Sequence, residues 1–196
     1  MASHKKRAIK RGATRVFWEE SGFSTRPSIR FTWWPRGQTP ILRERYAHWE
    51  HLSALGAVTL SADRQRSRGL LSCSSGSVKS ENVVAALRAM RRHLRGAVVL
   101  LWARLAAPRG RPFRLYLEKQ RSWLQVEWFP AYAPELNPVE GLWSCLDTTA
   151  LAHFSPDNSG EVAQPVRKGR RRLRRNPDLP KAFWKHAKLF PELLLY

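Results

Sequence analysis

Few residues in this chain are equipped for metal or nucleophilic chemistry, and most of them are scattered. Cys73 and Cys145, the only cysteines, form no C-x-x-C pair, which argues against a disulfide framework or a zinc site. His4, His48, His51, His93, His153 and His186 are dispersed. His48 and His51 could share a helix face, but two imidazoles without a third ligand read as surface residues. Acids are outnumbered, 15 Asp and Glu against 35 Lys and Arg. One of them has an explicit setting. Val126 to Trp143, VEWFPAYAPELNPVEGLW, reads as a short buried strand, a proline-punctuated loop and a helix start. Asn137 is an N-cap type, Pro138 suits the first helical position, and Glu140 falls three residues after the cap. This is an N-x-x-E form of the capping box, so on its own surroundings Glu140 is a capping residue.

The cations form the second chemical signal. A net charge of +20 opposes compaction unless a polyanion neutralises it, so nucleic acid is the first partner to expect. The charge is concentrated at the two ends. Lys5, Lys6, Arg7 and Arg11 lie in a basic arm over 1–14. Arg167, Lys168, Arg170, Arg171, Arg172, Arg174 and Arg175 fill a nine-residue run. Such runs are commonly solvated faces, and phosphate contact is the functional counterpart. A basic RNA- or ribosome-binding protein would carry the same charge. No apolar run reaches membrane-spanning length, and the basic N-terminus lacks the apolar segment of a secretory signal. The expectation is a cytoplasmic, nucleoid-associated protein with no membrane or small-molecule partner.

The elements that must position these residues follow from periodicity. RVFWE (15–19) predicts a strand broken at Ser21-Gly22. Ile29, Phe31 and Trp33 alternate as a second strand, Pro35 to Gln38 signals a turn, and Ala54 to Leu60 predicts a third strand. A hairpin tip at 63–68 leads into a return over 69–73. Val83, Val84, Leu87, Met90 and Leu94 recur at helical spacing within 77–95, and Gly96 suits a stop. The uninterrupted AVVLLW (97–102) predicts a central strand covered on both faces. A helix over 113–123, a strand over 125–129 and the helix after Asn137 complete the domain. Phe183, Trp184, Leu189, Phe190, Leu193 and Leu194 predict a last amphipathic helix. Trp18, Trp33, Trp34, Trp102, Trp123, Trp128 and Trp143 read as core. Periodicity alone gives one α/β domain over 15–155, with a basic helical tail over 156–196.

Several blocks together resemble one family. Pro130, Tyr132, Pro134, Glu135, Leu136, Asn137, Pro138, Glu140 and Trp143 match a final block of the form L-P-x-Y-[SA]-P-[ED]-L-N-P-[VI]-E-x-x-W. Glu20-Ser21-Gly22-Phe23, Thr32-Trp33 and Pro35 to Pro40 resemble a first block, D-E-S-G-F…T-W-x-P-x-G-x-x-P. SALGAV (53–58) resembles the strand that follows, VVLLWAR (98–104) occupies the second block, and ALAHFSPD (150–157) resembles the continuation of the last helix. The resemblance is to DDE transposases of the mariner superfamily in their bacterial insertion-sequence form. It implies an RNase H-like fold, a mixed sheet flanked by helices. It also implies DNA as substrate, related transposase subunits as partners, and Mg²⁺ or Mn²⁺ as cofactor. In the family three acids hold two ions roughly 4 Å apart for phosphodiester cleavage and strand transfer.

The resemblance places Glu19 and Glu140 as catalytic, metal-binding acids. It also exposes departures. Glu19 stands where the family has Asp, one methylene longer. Ala103 stands where the second Asp belongs, and no carboxylate occurs in 98–107. The nearest following acid is Glu118, inside a predicted helix. Pro108 stands where His is frequent. The implied function is a transposase-derived endonuclease domain for DNA transposition with impaired catalysis. A non-catalytic DNA-binding or regulatory remnant, or an unrelated basic RNA-binding protein, are the alternatives. Full-length members carry helix-turn-helix modules ahead of this domain. The short arm here implies a second-frame or truncated insertion-sequence product.

Overall fold

The computed structural model describes residues 12–25, 35–39, 41, 50–103, 110–129, 133–149, 151 and 159–189. Their core is a five-stranded mixed sheet of β1 (Thr14–Ser24), β2 (His51–Leu60), β3 (Ser67–Ser75), β4 (Val98–Trp102) and β5 (Leu124–Trp128). The spatial order is β3-β2-β1-β4-β5. β1 pairs antiparallel with β2, and β2 with β3, whereas β4 runs parallel to both β1 and β5. The helices are α1 (Ser80–His93), α2 (Arg111–Lys119), α3 (Pro138–Thr149), α4 (Ser159–Arg175) and α5 (Asp178–His186). None is long and apolar enough to cross a membrane.

Alternation along the strands divides the interior into two cores. Val16 and Trp18 of β1, with Leu100 and Trp102 of β4, point to one face and meet Val83, Leu87 and Met90 of α1 and Phe113 and Tyr116 of α2. Phe17, Phe23 and Leu101 point to the other face, under α3, α4 and α5. β4 is buried at all five positions, as its unbroken apolar run requires. The last helix docks on the domain itself. Trp184 of α5 stands edge-on to Phe17 at 5.2 Å and donates its indole N–H to the Thr59 carbonyl at 3.2 Å.

Several expectations change. β1 does not break at Ser21-Gly22; it continues to Ser24 because Ser21 pairs with Ala54 and Gly22 with Ser53. Cross-strand pairing overrides local propensity there. The second predicted helix spans Arg111–Lys119 and stops short of Trp123, whose indole N–H caps the turn on Gln120 Oε1 at 2.7 Å. α4 opens the basic tail expected over 156–196, beginning at Ser159. His51 opens β2 and so shares no helix face. Trp18, Trp102, Trp123 and Trp143 are buried, but Trp128 is 43% exposed because β5 is an edge strand. The turn at Pro35 closes with a hydrogen bond from Gln38 N–H to the Pro35 carbonyl, and Gly37 takes the positive φ of 82°. The strand expected around Ile29, Phe31 and Trp33 lies outside the described residues, as do Trp34, His48 and Phe190 to Leu194.

Candidate active site

Three elements bring the family's acid positions together. Glu19 sits mid-β1 on the face covered by α3. The parallel register pairs Trp18 with Trp102, and the next amide, that of Ala103, donates to the Trp18 carbonyl at 3.0 Å. Position 103 therefore lies beside position 19 at the carboxyl end of β4, where sites of α/β sheets gather. Glu140 is in the first turn of α3, close enough to Glu19 for their charges to repel.

Glu19 is 6% exposed, and its carboxylate is gripped from one side. Asn137 Nδ2 donates to Glu19 Oε2 at 2.9 Å, and Trp143 Nε1 donates to the same oxygen at 3.0 Å. Both donors belong to the start of α3. Asn137 has a second task, because its Oδ1 accepts the Val139 N–H at 3.1 Å and caps the helix. One side chain thus fixes the helix start with its oxygen and the acid with its nitrogen. The expected capping box is half made. The Asn137 backbone N–H goes to the Pro134 carbonyl at 2.9 Å, donated within the short 3₁₀ turn Pro134–Leu136. That leaves no cap for Glu140 to close, and its side chain is free for the site.

Trp143 reaches Glu19 because of a glycine. Gly56 of β2 is the cross-strand partner of Glu19, and a Cβ there would lie 2.5 Å from the Trp143 ring. The bare backbone lets the indole lie against the sheet. Neither Gly56 nor the second use of Asn137 was singled out from the sequence. The available signal was a glycine inside an otherwise apolar strand, which marks close approach by another group.

Electrostatics follow from burial. The Glu19 carboxyl is pushed up to about 7, first by desolvation, then by Glu140, against the lowering effect of its two hydrogen bonds. Burial also raises Glu140. Glu20 points to the opposite face, as strand alternation requires, and accepts a backbone hydrogen bond from Val78. Ala103 packs among apolar neighbours. Glu118 is exposed on α2, across the sheet. Among the described residues no three acids, histidines or cysteines group to hold a metal ion. Among the described residues the donor set here is two carboxylates, one with an oxygen already occupied by two N–H donors. That set does not fit a two-ion centre built on three acids.

Removing the amide of Asn137 tests the double role. Asn137→Ala is expected to lower stability by about 2 kcal/mol, the sum of a lost cap and a lost buried charge-assisted bond. Asn137→Asp keeps the cap but sets a third acid against Glu19, so it should be at least as damaging near neutral pH. Urea unfolding of the three proteins checks this; an Asp variant as stable as the parent would refute the contact with Glu19.

The remaining predicted residues fall elsewhere. Arg167, Lys168, Arg170, Arg171, Arg172, Arg174 and Arg175 are all exposed on α4. Lys5, Lys6, Arg7 and Arg11 lie outside the described residues.

A mixed sheet with three antiparallel strands followed by β/α units, and acid positions gathered at its centre, defines an RNase H-like nuclease-type domain. The sequence matches the family model described as DDE superfamily endonuclease over residues 14–162. The chain belongs to that family. Its fold is similar to solved structures of the Mos1 mariner transposase. In the paired end complex with Mn the TM-score is 0.60 at 17% identity, over 97% of this chain and 57% of the other. In a pre-cleavage transpososome it is 0.56 at 17%, over 95% and 58%. In the isolated catalytic domain with Raltegravir and Mn it is 0.52 at 16%, over 97% and 85%. The chain thus spans little more than half the length of the transposase in those complexes. No curated protein sequence matches it.

Proposed function

We propose that this chain is a transposase domain of the mariner branch that engages DNA and has lost most of the metal-dependent strand chemistry of its family. The observation that carries this reading is Ala103. Its amide is tied to Trp18 beside Glu19, so the position of the second acid is occupied by a methyl group. Removing one of three ligands from a two-ion site abolishes productive coordination, not merely its strength. Family membership and the Mos1 fold support DNA and further transposase subunits as partners, since those structures are of paired-end and pre-cleavage assemblies. The basic arm, with Lys5, Lys6, Arg7 and Arg11, adds to the DNA contact in this reading, and the protein acts at the nucleoid in the cytoplasm.

Nicking of a supercoiled plasmid in Mg²⁺ or Mn²⁺ is the direct test. The expected result is no metal-dependent nicking. Nicking that disappears in Glu140→Gln would overturn the reading. A restoring experiment has a readout independent of activity. The double variant Glu19→Asp, Ala103→Asp is expected to bind Mn²⁺ by calorimetry where the parent does not; equal Mn²⁺ binding by the parent would count against the loss.

A further inference from the structure

We infer that the outer face of α4 is a docking ridge for the phosphate backbone of duplex DNA. This deepens the DNA-acting reading above and rests on it. Val162, Val166, Gly169 and Leu173 recur at i, i+4, i+7 and i+11 and turn toward the sheet; Leu173 packs on Gly69 of β3. The opposite side carries Arg167, Arg171 and Arg175 in one row, with Arg170 and Arg174 in the next. At 1.5 Å rise per residue, neighbours in a row are about 6 Å apart and the row spans about 12 Å. Duplex DNA presents one negative charge per roughly 1.7 Å of axis, so a row of that length faces several phosphates.

Two contrasts separate this face from ordinary basic surface. First, several other arginines of the described fold have structural work, whereas Arg92, Arg95 and Arg121 do not. Arg91 donates to the Gly96 carbonyl at 2.9 Å and stacks 4.6 Å from the Trp123 ring; Arg68 donates to the His93 carbonyl at 3.2 Å; Arg15 lies over Trp184. The seven α4 cations have no such partner among the described residues, and no acid occurs between Glu161 and Asp178. Second, like charges at i, i+4 oppose a helix, and here they repeat at 167/171, 171/175, 170/174 and 168/172. Only the last turn gains from the helix dipole. The apolar face holds the helix against this repulsion, and a polyanion relieves it.

The inner face of α4, opposite the ridge, contacts the helix that carries Glu140. Gly169 packs directly on Leu146 of α3, with no room for a side chain between the helices. Leu146 is six residues beyond Glu140, about 9 Å along the helix.

The test is fluorescence anisotropy with a short duplex of arbitrary sequence, titrated with salt. The triple variant Arg167→Gln, Arg171→Gln, Arg175→Gln is compared with Arg92→Gln, Arg95→Gln, Arg121→Gln. The second triple removes equal charge from exposed residues at the end of α1 and the turn after α2. Gln is a good helix former, and circular dichroism checks both folds. The α4 triple is expected to bind at least tenfold more weakly at about 50 mM salt, with a log–log salt slope shallower by about 2 to 3 units. The control triple stays within about threefold, as exposed charges beyond a Debye length are screened. Equal weakening by both triples, or parent-like binding by the α4 triple, would refute the ridge. Tighter binding of an RNA hairpin through the same row would refute the assignment to DNA. None of these outcomes depends on metal or nicking, so failure here is distinct from failure of the proposed function.

Discussion

Glu19→Gln is expected to make the protein more stable at pH 8 and to leave it nearly unchanged at pH 4. The folded carboxyl has its pKa pushed from 4.5 to about 7. Between those values the folded state holds a proton that the unfolded chain has released, so stability from this group is full below pH 4.5 and is lost as pH rises through 7. At 1.36 kcal/mol per unit, the loss by pH 8 is about 3 kcal/mol. Glutamine matches the protonated acid in shape, and its carbonyl oxygen can accept from both Asn137 and Trp143. It carries no charge to desolvate and none for Glu140 to repel. The check is denaturant unfolding of both proteins at several pH values, reading the difference between them so that other acids cancel. Parallel curves would mean that Glu19 does not titrate in this range. Glu19→Leu is the informative contrast. It also removes the charge, but it leaves two buried donors without an acceptor, and so should be less stable than Gln at every pH.

Gly56→Val carries the other large effect. The new Cβ would sit 2.5 and 2.6 Å from two ring carbons of Trp143 and 3.2 Å from a methyl of Val139. Neither side can yield cheaply. β2 is held between β1 and β3, and the indole is fixed by Glu19 and packed edge-on to Phe23 at 5.9 Å. Overpacking of this kind, with the Glu19 bond lost as well, is expected to destabilise the fold by about 4 kcal/mol. Gly22 provides the control, because a Cβ there meets nothing within 4 Å. Gly22→Val should be tolerated, and it improves strand propensity. Thermal unfolding followed by near-ultraviolet dichroism reads both variants. A Gly56→Val protein with parent-like melting would show that Trp143 can leave its position freely.

The sequence carried the long-range plan well where a pattern was strong. AVVLLW predicted the central strand, the apolar stripe of 83–94 predicted α1, and the block around Asn137 predicted the start of α3. The family resemblance pointed to positions 19, 103 and 140, which lie on β1, at the end of β4 and on α3. What stayed hidden were contacts between distant segments. Asn137 and Glu19 are 118 residues apart, and nothing local says that a capping side chain has a second hydrogen-bonding group in use. Gly22 looked like a strand breaker because its ladder partners could not be seen. Glu140 looked like half of a capping box because the competing acceptor, the Pro134 carbonyl, depends on a turn whose geometry single residues do not specify.

On the proposed reading, the way Glu19 is held bears on how such a site loses its chemistry. Its two donors also cap a helix and fill a core, so selection for folding alone would retain Asn137, Trp143 and Gly56 after catalysis had ceased to matter. Position 103 is different. Its side chain packs against the apolar core, and an alanine there carries no charge to satisfy. Of the three acid positions, it is the one where drift meets least structural resistance. On the proposed reading, a domain of this design forfeits its chemistry at one residue while the residues around Glu19 keep their part in folding.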